Sequence, residues 1–182
     1  MSNDIEPNTP ISQTNGLQVV DFWAWAYSDL LSNANRGVFA EFIVGAALDA
    51  LEGMRLEWDA YDLTYQNRKI EVKSSAYLQT WQQNKLSTIS FDIAPKRGWD
   101  AQTNVLSDEI SRAADIYVFC LFAAQDSEQA NVLDLTQWEF YVLPVHVLNE
   151  LGGQKRISLN PLRKLCDPVP YSQLRQTVDA LV

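Results

Sequence analysis

Residues 55–76, RLEWDAYDLTYQNRKIEVKSSA, form two alternating runs around the polar break Gln66-Asn67-Arg68. Alternation of this kind is a strand signature, and two such runs around a short break predict a β-hairpin. In the first run Tyr61, Leu63 and Tyr65 point one way, and Asp62 and Thr64 the other. In the second, Ile70 and Val72 share a face, and Glu71 and Lys73 share the opposite one. A two-residue turn at Asn67-Arg68 pairs 65 with 70, 64 with 71, 63 with 72 and 62 with 73. All apolar residues then lie on one side, with Asp62, Glu71 and Lys73 on the other. A three-residue turn would mix the faces.

Upstream, residues 37–52 (GVFAEFIVGAALDALE) predict a helix, with Gly53 at the place of a C-terminal glycine. From Val38 to Leu48 its only charged residue is Glu41, with no cation one turn away. A buried carboxylate is costly without a partner or a metal. Gly37 and Gly45 share a stripe with it and allow a close approach. Residues 17–33 predict an earlier helix with an aromatic face, ended by Asn33–Gly37. Trp23, Trp25, Trp58 and Trp138 fall in apolar patterns and are expected in the core. Residues 1–16 read as a flexible arm.

Downstream, the Gln-rich residues 77–84 predict a short helix, and 87–94 (STISFDIA) a strand. Pro95-Lys96-Arg97-Gly98 is a basic turn. Residues 107–114 (SDEISRAA) predict a helix capped by Ser107 and Asp108. Residues 115–124 and 137–143 predict strands, 144–151 a helix or turn, and 159–182 two short helices. With 182 residues, 47% apolar and 20% charged, the chain suits one folded domain over 17–182. The fold class expected is α/β, an α+β arrangement around a mixed sheet.

Composition narrows the function. The net charge is −9, against broad charge-driven binding of nucleic acid, though not against a local basic rim. One histidine, His146, and two cysteines, Cys120 and Cys166, disfavour a zinc site or a histidine-based triad. Two reduced thiols and no apolar run of membrane-spanning length fit a cytoplasmic protein with no membrane partner. There is no phosphate-binding glycine loop. Carboxylates gathered from separate elements are what a hard cation such as Mg²⁺ takes.

At these residues the chain resembles the PD-(D/E)xK nuclease superfamily, with its restriction-endonuclease-like fold. That pattern is a helix glutamate, an aspartate on a strand, then (D/E)-x-K on the next strand. It matches Glu41, Asp62 and Glu71-Val72-Lys73. Tyr61 stands where the family often has proline. Asp59 is a rival to Asp62, but lies on the other strand face unless a bulge intervenes. The resemblance implies an αβββαβ core over about 35–123, with an extra N-terminal helix and C-terminal additions. It implies Mg²⁺ or Mn²⁺ held by Asp62 and Glu71, with Glu41 completing the shell. Lys73 would assist the attacking water. Gln79 is the candidate for touching phosphate or that water, with Gln82 and Gln83 as alternatives and Ser74 and Ser75 beside them. Arg36, Arg68, Lys69, Lys96 and Arg97 would form a phosphate rim. The implied activity is metal-dependent hydrolysis of nucleic acid, DNA more than RNA. The alternative is a non-catalytic module of the same fold in a bacterial defence or repair assembly. A homodimer or a protein partner fits either.

Overall fold

The computed structural model describes residues 5–57, 60–100 and 105–182. Helices α1 (Val19–Tyr27) and α2 (Asn33–Leu48) come first. Strands β1 (Leu63–Tyr65) and β2 (Arg68–Ala76) follow as an antiparallel hairpin. Next are β3 (Ser90–Asp92), β4 (Lys96–Asp100) and β5 (Val105–Ser111). Then come β6 (Ile116–Phe122), β7 (Trp138–Pro144) and α3 (Val145–Asn149). Strand β8 (Arg156–Ser158) and helices α4 (Leu159–Leu162) and α5 (Tyr171–Asp179) complete the chain.

The central sheet has the order β1-β2-β6-β7. β2 and β6 are parallel, and the two outer pairings are antiparallel. This is an α+β fold on a mixed sheet. β6 is buried along its whole length, as expected of a strand covered on both faces. On one face, Ile70, Val72, Val118 and Phe140 pack against Ile43 and Val44 of α2 and Leu174 and Val178 of α5. On the other, Phe119, Leu121 and Tyr141 pack against Phe91, Leu148, Ile157 and Leu162. Burying each large apolar side chain contributes about 1.5–3 kcal/mol, so the two-sided packing fixes the sheet that carries the hairpin.

The hairpin forms with its turn one residue earlier than the spacing predicts. Gln66 and Asn67 make the turn, with φ of 48° and 63°. Both central residues then lie in the left-handed region that tight hairpins need. Tyr65 pairs with Arg68, Thr64 with Lys69 and Leu63 with Ile70. The register therefore moves by two residues, and an even shift leaves every side chain on its expected face. Tyr61 is the exception. It precedes β1 and packs against the opposite cluster.

Other elements differ from the sequence reading. α2 begins at Asn33 and ends at Leu48, where Asp49 takes the left-handed cap at φ 53°. Asn33–Gly37 therefore opens a helix instead of breaking one. A Cβ at Gly45 would overlap the Leu51 side chain, so the close approach there is made by a leucine. Residues 77–84 form no helix. Gln83 ties that loop, accepting from Gln79 N at 2.7 Å and donating to Ser87 Oγ at 3.0 Å. β3 lies outside the central sheet, paired with β8. The helix expected at 107–114 is strand from 105 to 111, paired antiparallel with β4. The helix of the αβββαβ order is thus replaced by a second hairpin. Trp138 is buried, but Trp23 and Trp25 are exposed at 36% and 84%. Trp58 and Asp59 lie outside the described residues. Among the described residues no helix is long and apolar enough to cross a membrane.

Candidate active site at the hairpin edge

β2 alternates, so Glu71 and Lys73 stand on the face opposite Ile70 and Val72. Asp62 joins them from the residue before β1. Its backbone N–H donates to Ile70 O at 3.0 Å, continuing the ladder. Its carboxylate accepts from Val72 N at 2.7 Å. Extending the register of β1 and β2 sets Asp62 opposite Glu71. The Lys73 ammonium bonds the Glu71 carboxylate. Beneath them, across the parallel ladder, lie Tyr117 and Phe119, paired with Glu71 and Lys73.

This bed shapes the charges. The Asp62 carboxyl is pushed up to about 7, by burial first and then by Glu71, against the Val72 N–H and Lys73, while Glu41 adds to the rise. Burial opposes the Lys73 charge, but Glu71, Asp62 and Asp92 outweigh it and hold the ammonium above its usual range. The Tyr117 hydroxyl is also raised, by burial and then by Glu71. Two carboxylates therefore share a partly buried edge with one firmly protonated lysine.

Glu41 reaches toward this edge from α2, and both of its oxygens are engaged by Arg55. Arg55 Nη2 donates to Oε1 at 2.8 Å, and Nε bonds Oε2. Arg55 is thus the cation that partners this helix carboxylate. Glu41, Arg55 and Asp62 line a cleft of about 650 Å³, walled by Val38, Phe42 and Leu56.

The expected substrate-contacting residues are placed differently. Arg36 is 1% exposed and turns inward, donating to Leu31 O at 2.6 Å and bonding Asn33. Burial lowers its guanidinium to about 10. It belongs to the base of α2 and leaves the rim. Ser75 is buried at 9%, one strand position pair beyond Lys73 on the same face. Gln79 Nε2 donates to Ala76 O at 3.1 Å, while its Oε1 and the Ser74 hydroxyl are buried without a partner. Arg68, Lys69, Lys96 and Arg97 are exposed. Lys69 lies over the Tyr61 ring at 5.2 Å, and Lys96 pairs with Asp92 at 2.7 Å.

Two residues of the neighbourhood escape the sequence reading. Asp92 acts on Lys73 from β3. The alternation of Ile89, Phe91 and Ile93 in the core turns Asp92 outward, but nothing in the sequence docks β3 on β2. Arg55 lies in an irregular segment, where no periodicity assigns it a direction.

Among the described residues no group of three or more His, Cys, Asp or Glu side chains is assembled to hold a metal ion. Asp62 and Glu71 alone supply two hard oxygen donors whose mutual repulsion a dication would relieve, a donor set that fits Mg²⁺ or Mn²⁺ with water in the other positions.

A mixed-sheet α+β domain with an acidic, lysine-bearing strand edge is the frame in which the family assignment falls. The chain belongs to the bacteriophage T4 endonuclease IV family, whose family model matches residues 24–160. It is therefore a member of a nuclease family. The match begins within α1 and ends within α4, and includes α2 and the whole hairpin. No curated protein matches the chain.

Proposed function

We propose that the protein is a divalent-metal-dependent nuclease of the PD-(D/E)xK kind, hydrolysing phosphodiester bonds in DNA. The observation that carries the reading is the apposition of Asp62 and Glu71 across the hairpin with Lys73 bonded to Glu71, in a chain of an endonuclease family. Asp62 and Glu71 would hold a Mg²⁺ or Mn²⁺ ion, which would supply charge neutralisation at the phosphate and a more acidic water. Lys73 is held above its usual range and is a cation at neutral pH. Its work is electrostatic: it orients the attacking water by hydrogen bonding and stabilises charge developing on the phosphoryl oxygens. The Val72 N–H fixes the Asp62 carboxylate, so little reorganisation accompanies the reaction. Arg68, Lys69 and Arg97 supply the rim, and Gln79 and Ser75 lie just past Lys73 along the chain.

Metal-linked melting tests this directly. Mg²⁺ or Mn²⁺ should raise the melting temperature of the wild-type protein, and Asp62→Asn should remove the rise. An equal rise in both proteins would remove Asp62 from the site.

A second reading has its own observation. In α1, Phe22, Trp23, Trp25 and Tyr27 are all exposed, and no residue of the helix is buried. An aromatic face of this kind favours a role in which the domain docks on a protein partner or a second copy.

A further inference from the structure

The cleft beside the candidate site carries both acidic and basic charge on an otherwise neutral lining among the described residues. Among the described residues that line it, Arg55 is the one cation, against Glu41, Glu52 and Asp62. A phosphodiester is an anion, and entry into such a cleft needs a cation at hand. Arg55 holds Glu41 through two nitrogens on two oxygens, the fork geometry that a guanidinium also makes with phosphate. The Arg55 side chain is 38% exposed and that of Glu41 14%, so the guanidinium is the member of the pair that an incoming ligand reaches first. Arg55 is carried by the segment between α2 and β1, which has neither helix nor strand among its described residues. Arg55 can therefore change partner without breaking a ladder.

Resting on the phosphodiesterase reading above, we propose that Arg55 anchors a substrate phosphate beside Asp62 and that Glu41 masks it in the free protein. Phosphate would exchange for the Glu41 carboxylate on the same guanidinium. The released carboxylate would face Asp62, so negative charge would gather at the hairpin edge only when substrate is present. Arg55 is in this sense a substrate-binding residue, and Glu41 its competitor.

The test is a binding cycle in the Lys73→Ala protein, whose cleavage should be slowed by about 10²-fold or more. A fluorescein-labelled DNA oligonucleotide is titrated in Mg²⁺ at several salt concentrations and followed by anisotropy, with melting curves as the folding control. Arg55→Ala should weaken binding by about tenfold and lower the salt slope by about one. Arg55→Lys should not restore it, since an ammonium lacks the fork. Glu41→Gln should tighten binding by about threefold or more when Arg55 is present, relative to the same change on Arg55→Ala. Any effect of Glu41 that bypasses Arg55 appears in both backgrounds and cancels. Unchanged binding by Arg55→Ala, or an equal Glu41→Gln effect in both backgrounds, would overturn the anchor while leaving the nuclease reading intact. No binding by the parent protein would overturn the nucleic-acid reading and the anchor with it.

Discussion

The two faces of β2 are packed for different ends. One presents Ile70, Val72 and Ala76 to a core sealed by α2 and α5. The other presents Glu71 and Lys73, whose side chains keep 17% and 22% of their surface exposed. The same nine-residue strand thus holds the fold together on one side and holds charges in place on the other. β1 is only three residues long, so the charged face lies near a sheet edge that solvent reaches. The charged face stabilises little. Its carboxylates repel, and one of them is pushed up to about 7.

Four substitutions test that contrast. Ile70 is fully buried, and Ile70→Ala should cost about 2–5 kcal/mol in urea melts. Lys73→Ala, three positions further along the same strand, should still fold. If Lys73→Ala proves the more damaging of the two to stability, the division between faces fails.

Asp62 gives the opposite sign. Its folded value of about 7 lies above the ordinary 3.8, so the folded protein binds this proton more tightly than the unfolded chain does. The group's contribution to stability is full in acid and is lost as pH rises from about 4 through about 7. Asp62→Asn removes that loss. In metal-free protein it should gain up to about 4 kcal/mol over wild type at pH 8 and little at pH 4. A gap that stays constant with pH would contradict the repulsion.

The smallest effect should come from Arg163, which pairs at 2.8 Å with Glu139 of the edge strand β7, with both side chains partly exposed. Arg163→Ala should cost less than about 1 kcal/mol, because solvent screens the pair. A larger loss, read from the same melts, would mean that this pair orders β7.

Much of this was legible in the residues because strand periodicity is local. Alternation in 61–73 assigned Leu63, Tyr65, Ile70 and Val72 to the core and gathered Asp62, Glu71 and Lys73, and a turn misplaced by one residue did not disturb those faces. What failed depends on distant parts of the chain. Residues 107–114 have helical spacing, yet 105–111 pair with β4, because tertiary pairing outweighs weak local propensity. The aromatic spacing of α1 predicts burial, but spacing shows only that a helix has an apolar face, not that the fold covers it. Arg36 read as a rim cation because sequence cannot show that a helix start is enclosed. The Arg55–Glu41 pair joins residues fourteen positions apart through an irregular segment that no pattern describes.

The most direct measurement is cleavage. Wild-type and Lys73→Ala protein are incubated with plasmid, linear duplex, single-stranded and branched DNA, and RNA, in Mg²⁺, Mn²⁺ or EDTA. Wild type should cut DNA in either metal and not in EDTA. Lys73→Ala, still folded, should lose activity by about 10²-fold or more. Cleavage that persists in EDTA, or that Lys73→Ala retains in full, would contradict the proposed function.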